Sequence, residues 1–379
     1  MVIKVDKIKS QPIYSGLPNI KVIGIGGGGG NVVNRMIKDN VRGVQYITVN
    51  TDAMALRSSL ADVTIPIGKM ITKGLGAGMK PEVGRMAAEE EIDSFKELLV
   101  DTDLVFLAAG MGGGTGTGAI SVVAEIAKEM KILTVAVVTI PFSFEGPKRG
   151  RLAETGIQNL KKHIDTLVVI PNSKLLEVAS PKTTMSEAFA MADDVLKQAI
   201  SGITNLINLE GVINLDFADL YTVMANKGSA YMGTGVGRGD NRGLMAVKKA
   251  LSSPLISQPI DGATGIIINI VADEQFPLFD AEAAAEYIQS SANQDADVIF
   301  GLVYDPKLKE EVSVTVIATG YDSQYKIEAA ELVERIPLRV SDSISQPILK
   351  NRPRNPSDSS KYPAEEIEVP HFMRRRLPT

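Results

Sequence analysis

Between residues 20 and 171 short apolar runs alternate with longer stretches whose apolar residues recur every three or four positions. The runs at 20–25, 45–49, 63–67, 104–109, 132–140 and 166–170 predict strands, and the segments between them predict amphipathic helices. That rhythm implies a mostly parallel α/β sheet with helices on both faces. Ligands of such sheets sit beyond the carboxyl ends of the strands, and the glycine-rich stretches of this chain all follow strands.

Residues 186–208 carry apolar side chains at Phe189, Val195, Leu196, Ile200, Ile203, Leu206 and Ile207. A helical period sustained that long predicts a rod of about 35 Å joining two domains. Beyond it, 265–272, 298–304 and 312–319 are β-rich and 280–291 suggests a helix, so a smaller α+β unit follows. The pattern thins after Gly320, although 326–336 retains a helical period, and 341–361 is rich in Ser, Pro, Asn and Lys, as linkers are. The expected division is a flexible arm at 1–18, a nucleotide-binding domain at 19–185, the connecting helix at 186–208, a second domain at 209–320, a mostly disordered linker at 321–361 and a terminal peptide at 362–379.

Composition narrows the chemistry. With 379 residues, 44% hydrophobic and 22% charged, the chain is an ordinary globular one, and a net charge of −5 argues against a general nucleic-acid binder. There is no cysteine, which removes disulfides, thiolate metal sites and cysteine nucleophiles. His163 and His371 are the only histidines, too few for a multi-histidine metal site and poor material for a Ser-His-Asp triad. No apolar run approaches the roughly 18–20 residues of a membrane span, and residues 1–16 lack the apolar stretch of a signal peptide, so a soluble intracellular protein is expected.

The candidate chemistry lies in three glycine stretches: GIGGGGGN at 24–31, GLGAG at 74–78 and GGGTGTG at 112–118. At a strand-to-helix turn, bare backbone N–H groups and the positive end of a helix suit a phosphate, with hydroxyls here from Thr115 and Thr117; a turn chosen only for flexibility is the plainer alternative. Gly24, Gly26 and Gly29 also satisfy G-x-G-x-x-G, with Asp52 where a ribose-binding acid belongs, so an NAD(P)-dependent oxidoreductase is one alternative. A P-loop is excluded because no G-K-[ST] follows any of the three stretches. Three glycine turns on one sheet suit a single polyphosphate better than a dinucleotide.

Seven motifs in order, KVIGIGGGGGNVVNRM, NTDAMAL, ITKGLGAGMKPEVGR, GGGTGTG, IPFSFEGPKR, NLDFADL and SSPL, resemble the bacterial tubulin-like cell-division GTPases of the FtsZ family across about residues 20–320. The resemblance implies a tubulin-like fold and GTP or GDP as ligand with Mg2+. Gly27, Gly28, Gly29, Gly30 and Asn31 would hold the phosphates from the first turn, and Gly114, Thr115 and Gly116 from the signature turn. Glu145 and Arg149 would hold the ribose side with Asn172 nearby, Phe189 would stack on guanine, and Asp193 would accept from its N1–H and N2 amine. Periodicity alone reads Phe189 as a core residue. Met54, Met79 and Lys80 depart from the family pattern, and Asp194 beside Asp193 is a second candidate for the base-facing carboxylate.

Hydrolysis needs a group that positions water, and glycine turns have none. In GVINLDFADL, 211–220, Asp216 and Asp219 are three apart and can share one face of a helix start; a solvated N-cap cluster is the plainer reading. The resemblance implies that this segment enters the nucleotide site of the next subunit, with Asn214 on the phosphates and Asp216 and Asp219 orienting the water, in a head-to-tail homopolymer. A nucleotide-binding filament protein without hydrolysis is the remaining alternative. Residues 365–376, EEIEVPHFMRRR, run from acid through apolar to basic and resemble the family's terminal peptide, which binds membrane-tethering and regulatory division proteins. The implied location is the cytoplasm, at the mid-cell division ring, without membrane insertion.

Overall fold

The computed structural model describes residues 18–321, except 209–212, 214–215, 257 and 307. The arm before Pro18, the linker and terminal peptide, and Asn214 lie outside the described residues. The chain begins β1 (Ile20–Ile25), α1 (Gly26–Lys38), β2 (Gln45–Asn50), α2 (Ala53–Arg57), β3 (Val63–Pro66), α3 (Pro81–Glu89) and α4 (Ile92–Leu99). It goes on through β4 (Leu104–Gly110), α5 (Thr115–Glu129), β5 (Leu133–Ile140), α6 (Pro147–Leu160), β6 (Thr166–Pro171) and α7 (Asn172–Leu175). After the long α8 (Met185–Asn208) come α9 (Phe217–Met224), β7 (Gly228–Arg238), α10 (Arg242–Leu251), β8 (Gly265–Ala272), α11 (Leu278–Ser291), β9 (Asp297–Tyr304) and β10 (Glu311–Tyr321).

The ten strands form one sheet in the order β3-β2-β1-β4-β5-β6-β7-β10-β8-β9. The first six are parallel and doubly wound, and the order reverses between β1 and β4, which pair with each other from Ile20↔Leu104 to Ile25↔Ala109. A crevice therefore opens at the carboxyl ends of these two strands. Alternation along them feeds two cores: Ile20, Val22 and Phe106 pack toward α1 and α8, while Ile23, Ile25, Val105 and Leu107 pack toward α3, α4, α5 and α6.

The second domain has its own core, in which Ala246, Val247 and Ala250 of α10 and Ile288 of α11 cover Ile266, Ile268 and Ile270 of β8. Its sheet is the continuation of the first. β7 joins β6 in parallel from Thr166↔Gly228 to Val168↔Ala230 and pairs antiparallel with β10 along its length. The hydrophobic pattern did not reveal β7 because Gly233, Gly235 and Gly237 occupy one face of it. A Cβ at those positions would stand 2.0, 2.0 and 1.9 Å from carbonyl oxygens of α10, so the helix lies directly on the strand.

α8 buries Ala192, Leu196, Ala199, Ile200 and Ile203 against the parallel half of the sheet and its carboxyl end against Ile267 of β8 and Ile317 of β10. Phe189 is 40% exposed and stands off that buried face, so it is no core residue.

Candidate functional site

Two helix N-termini meet in the crevice. α1 begins immediately after β1, so the first glycine stretch forms the opening turn of a helix, and α5 begins after Gly114. Neither helix has a side chain capping its first turn, which leaves the leading N–H groups to a ligand. Close approach explains most of the glycines. A Cβ on Gly26 would stand 2.9 Å from the Gly116 nitrogen, and one on Gly29 would stand 2.2 Å from the Ala108 oxygen. Gly27 and Gly113 face open space, so here the backbone itself is the presented surface.

The signature turn is pinned from three sides. The Thr117 hydroxyl accepts from the Gly112 N–H at 2.9 Å and is buried, so it holds the turn and is not among the groups offered to a phosphate, as the sequence had suggested. The Thr115 hydroxyl lies 2.6 Å from that of Thr51 at the end of β2. A Cβ on Gly114 would meet the Ala77 side chain at 2.7 Å, which sets the third glycine stretch against the second. A Cβ on Gly112 would stand 2.7 Å from the Arg149 carbonyl, which brings the start of α6 to the same turn.

Glu145, in a 3₁₀ turn before α6, accepts from the Phe142 N–H at 2.9 Å and pairs with Arg149. Phe142 stacks on Phe144 at 4.9 Å, and Phe189 meets Phe142 edge-on at 5.3 Å, so the same turn is locked to α8. Asn172 opens α7 at the end of β6; it is 5% exposed, and its Oδ1 has no partner. An orphaned buried acceptor costs free energy that a ligand hydroxyl would recover.

Asn31, Asn34, Arg35, Lys38, Asp39, Asp193 and Asp194 line one cavity of about 520 Å³ between α1 and α8. Asn31, directly after Gly30 in α1, thus stands with the base-reading candidates. Asn34, Arg35 and Lys38 were not singled out from the sequence, although their spacing from Asn31 puts all four on one helix face. Asp194 is engaged: Lys197 pairs with it at 2.7 Å, Arg35 at 3.7 Å, and Gln198 donates to it at 2.8 Å. Asp193 is half-buried. Burial pushes its carboxyl up to about 6, with Arg35 drawing it down and Asp194 adding to the rise.

Asp52 caps α2, its Oδ1 accepting from the Met54 N–H at 2.8 Å and the Ala55 N–H at 3.4 Å, so one oxygen of its carboxylate is engaged within the chain. The structure does not bring Asp216 and Asp219 to the crevice. Both are exposed at the start of α9, where Asp216 caps the helix by accepting from the Asp219 N–H at 2.8 Å, the plainer of the two sequence readings. The other end of α9 is tied to the amino-terminal edge of the sheet, the Met224 carbonyl accepting from Thr166 at the start of β6. The glycine turns therefore stand at one edge of the sheet, and the element that carries the acidic pair is tied to the other.

Residues 19–180 match the Tubulin/FtsZ family, GTPase domain, and residues 228–322 match the FtsZ family, C-terminal domain. The solved FtsZ dimer of M. jannaschii is 43% identical over 81% of this chain and 89% of that one, with a TM-score of 0.78. The chain belongs to the FtsZ family. It is a GTP-binding, polymerising cell-division GTPase with a tubulin-like fold, and the oxidoreductase alternative is set aside. The CetZ2 protofilament of Haloferax volcanii shares the fold at 19% identity, with a TM-score of 0.69 over 83% of this chain and 98% of that one. As in the family, guanine nucleotide is the ligand and the chain self-associates. Among the described residues no helix is long and apolar enough to cross a membrane, and no three His, Asp or Glu side chains converge as a metal site.

Proposed function

We propose that GTP lies across the crevice with its phosphates on the opening turns of α1 and α5 and its base against α8, and that hydrolysis is completed by the next subunit. The observation that carries this reading is the separation of the two half-sites: phosphate-binding turns at one edge of the sheet, Asp216 and Asp219 at an element tied to the other. Head-to-tail stacking joins such edges, and because the contact is heterologous it propagates into a filament. Gly27–Gly30, Gly114, Thr115 and Gly116 hold phosphate oxygens; Glu145, Arg149 and Asn172 hold the ribose side; Phe189 and Asp193 read guanine, with Asn31 beside them. Asp216, Asp219 and Asn214 from the neighbour orient the attacking water.

The uncapped N–H groups and the unpartnered Asn172 Oδ1 fit a nucleotide, since both lack partners that a triphosphate and a ribose supply. Mg2+ would be held by phosphate oxygens and water, where it neutralises charge on the transferred group. Residues 365–376 serve as the docking peptide for membrane-tethering and regulatory division proteins, and the polymer forms the cytoplasmic mid-cell ring. Deleting 365–379 removes anchor binding and leaves polymerisation intact.

The test is a concentration series with GTP and Mg2+, following light scattering and phosphate release together. Turnover per molecule rises in step with scattering; equal turnover per molecule in dilute, non-scattering protein overturns the shared site.

A further inference from the structure

The amino-terminal edge of the sheet holds a second cavity, of about 1050 Å³, that the nucleotide reading leaves without a use. It opens where β1, β2 and β3 begin and α4 ends, and Pro18, the first described residue, lies on its wall. The seventeen residues before Pro18 therefore leave from the cavity itself. Its rim is acidic: Asp62, Glu97 and Asp101 line it and are exposed. Val100, also on the wall, is 53% exposed, and Leu98 and Val63, partly buried against the core, line the same cavity. Lys21 is 6% exposed; its ammonium donates to the Leu98 carbonyl and its charge acts on Asp101, while Asp62 accepts from the Tyr46 N–H, so the rim keeps a net negative excess, with Glu97 and Asp62 its carboxylates away from Lys21.

The preceding segment is the chemical complement. MVIKVDKIK sets Lys4, Lys7 and Lys9 against a single acid, Asp6, and interleaves them with Val2, Ile3, Val5 and Ile8. We propose that residues 1–17 fold back into this cavity on their own chain, with their lysines against Asp62, Glu97 and Asp101 and their apolar residues over Val63, Leu98 and Val100. Reach is no obstacle, because an extended chain covers about 3.3 Å per residue. The tether favours the same chain over a second copy, since a short flexible linker confers an effective concentration on the order of millimolar. The loose arm of the sequence reading thus has a seat on the face opposite the nucleotide, and exposed rim charges make the contact salt-sensitive.

A chain without cysteine makes the test clean. Val5→Cys or Ile8→Cys is paired with Glu97→Cys and treated with a short bismaleimide at low protein concentration, with Ile8→Cys/Glu125→Cys as the distant control. The expected result is an intramolecular crosslink several-fold above the control, reduced several-fold by Asp62→Lys with Asp101→Lys. Crosslinking no better than the control, or crosslinks only between chains, overturns the proposal. A second readout needs no cysteine: deleting residues 2–15 from the full chain speeds hydrogen exchange of amides 97–103 at least tenfold, and unchanged exchange there counts equally against it.

Discussion

A carboxyl held half out of water titrates above its ordinary range, and Asp193, at about 6, is such a group. On the proposed reading, in which Asp193 faces guanine, only the ionised form offers N1–H and the N2 amine two acceptors, so nucleotide binding favours ionisation. GTP affinity is therefore flat above about pH 7 and falls as pH drops through 6, by at most about tenfold per unit for one proton. Titrating affinity from pH 7.5 to 5 checks this, and Asp193→Asn flattens the profile while lowering affinity for GTP over ATP. Phe189 is separable from Asp193: Phe189→Ala removes a stacking face worth about 1–3 kcal/mol and weakens GTP and ATP alike. Periodicity would have placed Phe189 in the core. Its exposure, beside Phe142 and Phe144, is a tertiary fact no helical period contains. The engagement of Asp194, on which the proposed choice of Asp193 rests, was likewise invisible in sequence, because it depends on Arg35 arriving from α1 and Lys197 from one turn further along α8.

At the scale of elements, the glycines divide into those that let helices approach and those that face open space, and substitution distinguishes them. Gly29→Ala forces a methyl to 2.2 Å from the Ala108 carbonyl, an overpacking cost of about 1–3 kcal/mol that lowers Tm by several degrees. Gly27→Ala meets nothing within 4 Å, so Tm holds or rises slightly while GTP affinity falls, the methyl projecting where a phosphate would lie. Thermal melts and nucleotide titrations on the two variants separate the classes. The parallel half of the sheet was legible because strands buried on both faces write themselves as apolar runs. β7 was not, since its glycines face α10 and remove the hydrophobic signal. Thr117 was misread for a related reason: a hydroxyl in a glycine turn is equally suited to a phosphate and to the turn's own N–H, and only the fold decides.

For the whole molecule, the motif order in the sequence was enough to indicate the family, and the geometry adds where the halves of the chemistry stand. The phosphate turns sit at one edge of the sheet and the acidic pair on an element tied to the other, an arrangement that, on the proposed reading, is idle in a lone molecule and complete in a stack. Asp219→Ala should leave nucleotide binding intact and lower turnover by about 10²–10⁴-fold, the usual contribution of a group that handles the reacting water. The most direct measurement mixes two inactive variants: Asp219→Ala, with an intact crevice, and Asp193→Ala/Phe189→Ala, with an intact acidic pair. Each is silent alone. If neighbours share a site, a contact between the crevice of the first and α9 of the second is whole, and the equimolar mixture releases phosphate at up to about a quarter of the wild-type rate, one contact in four being competent by random pairing. A mixture as silent as its parts would contradict the shared site.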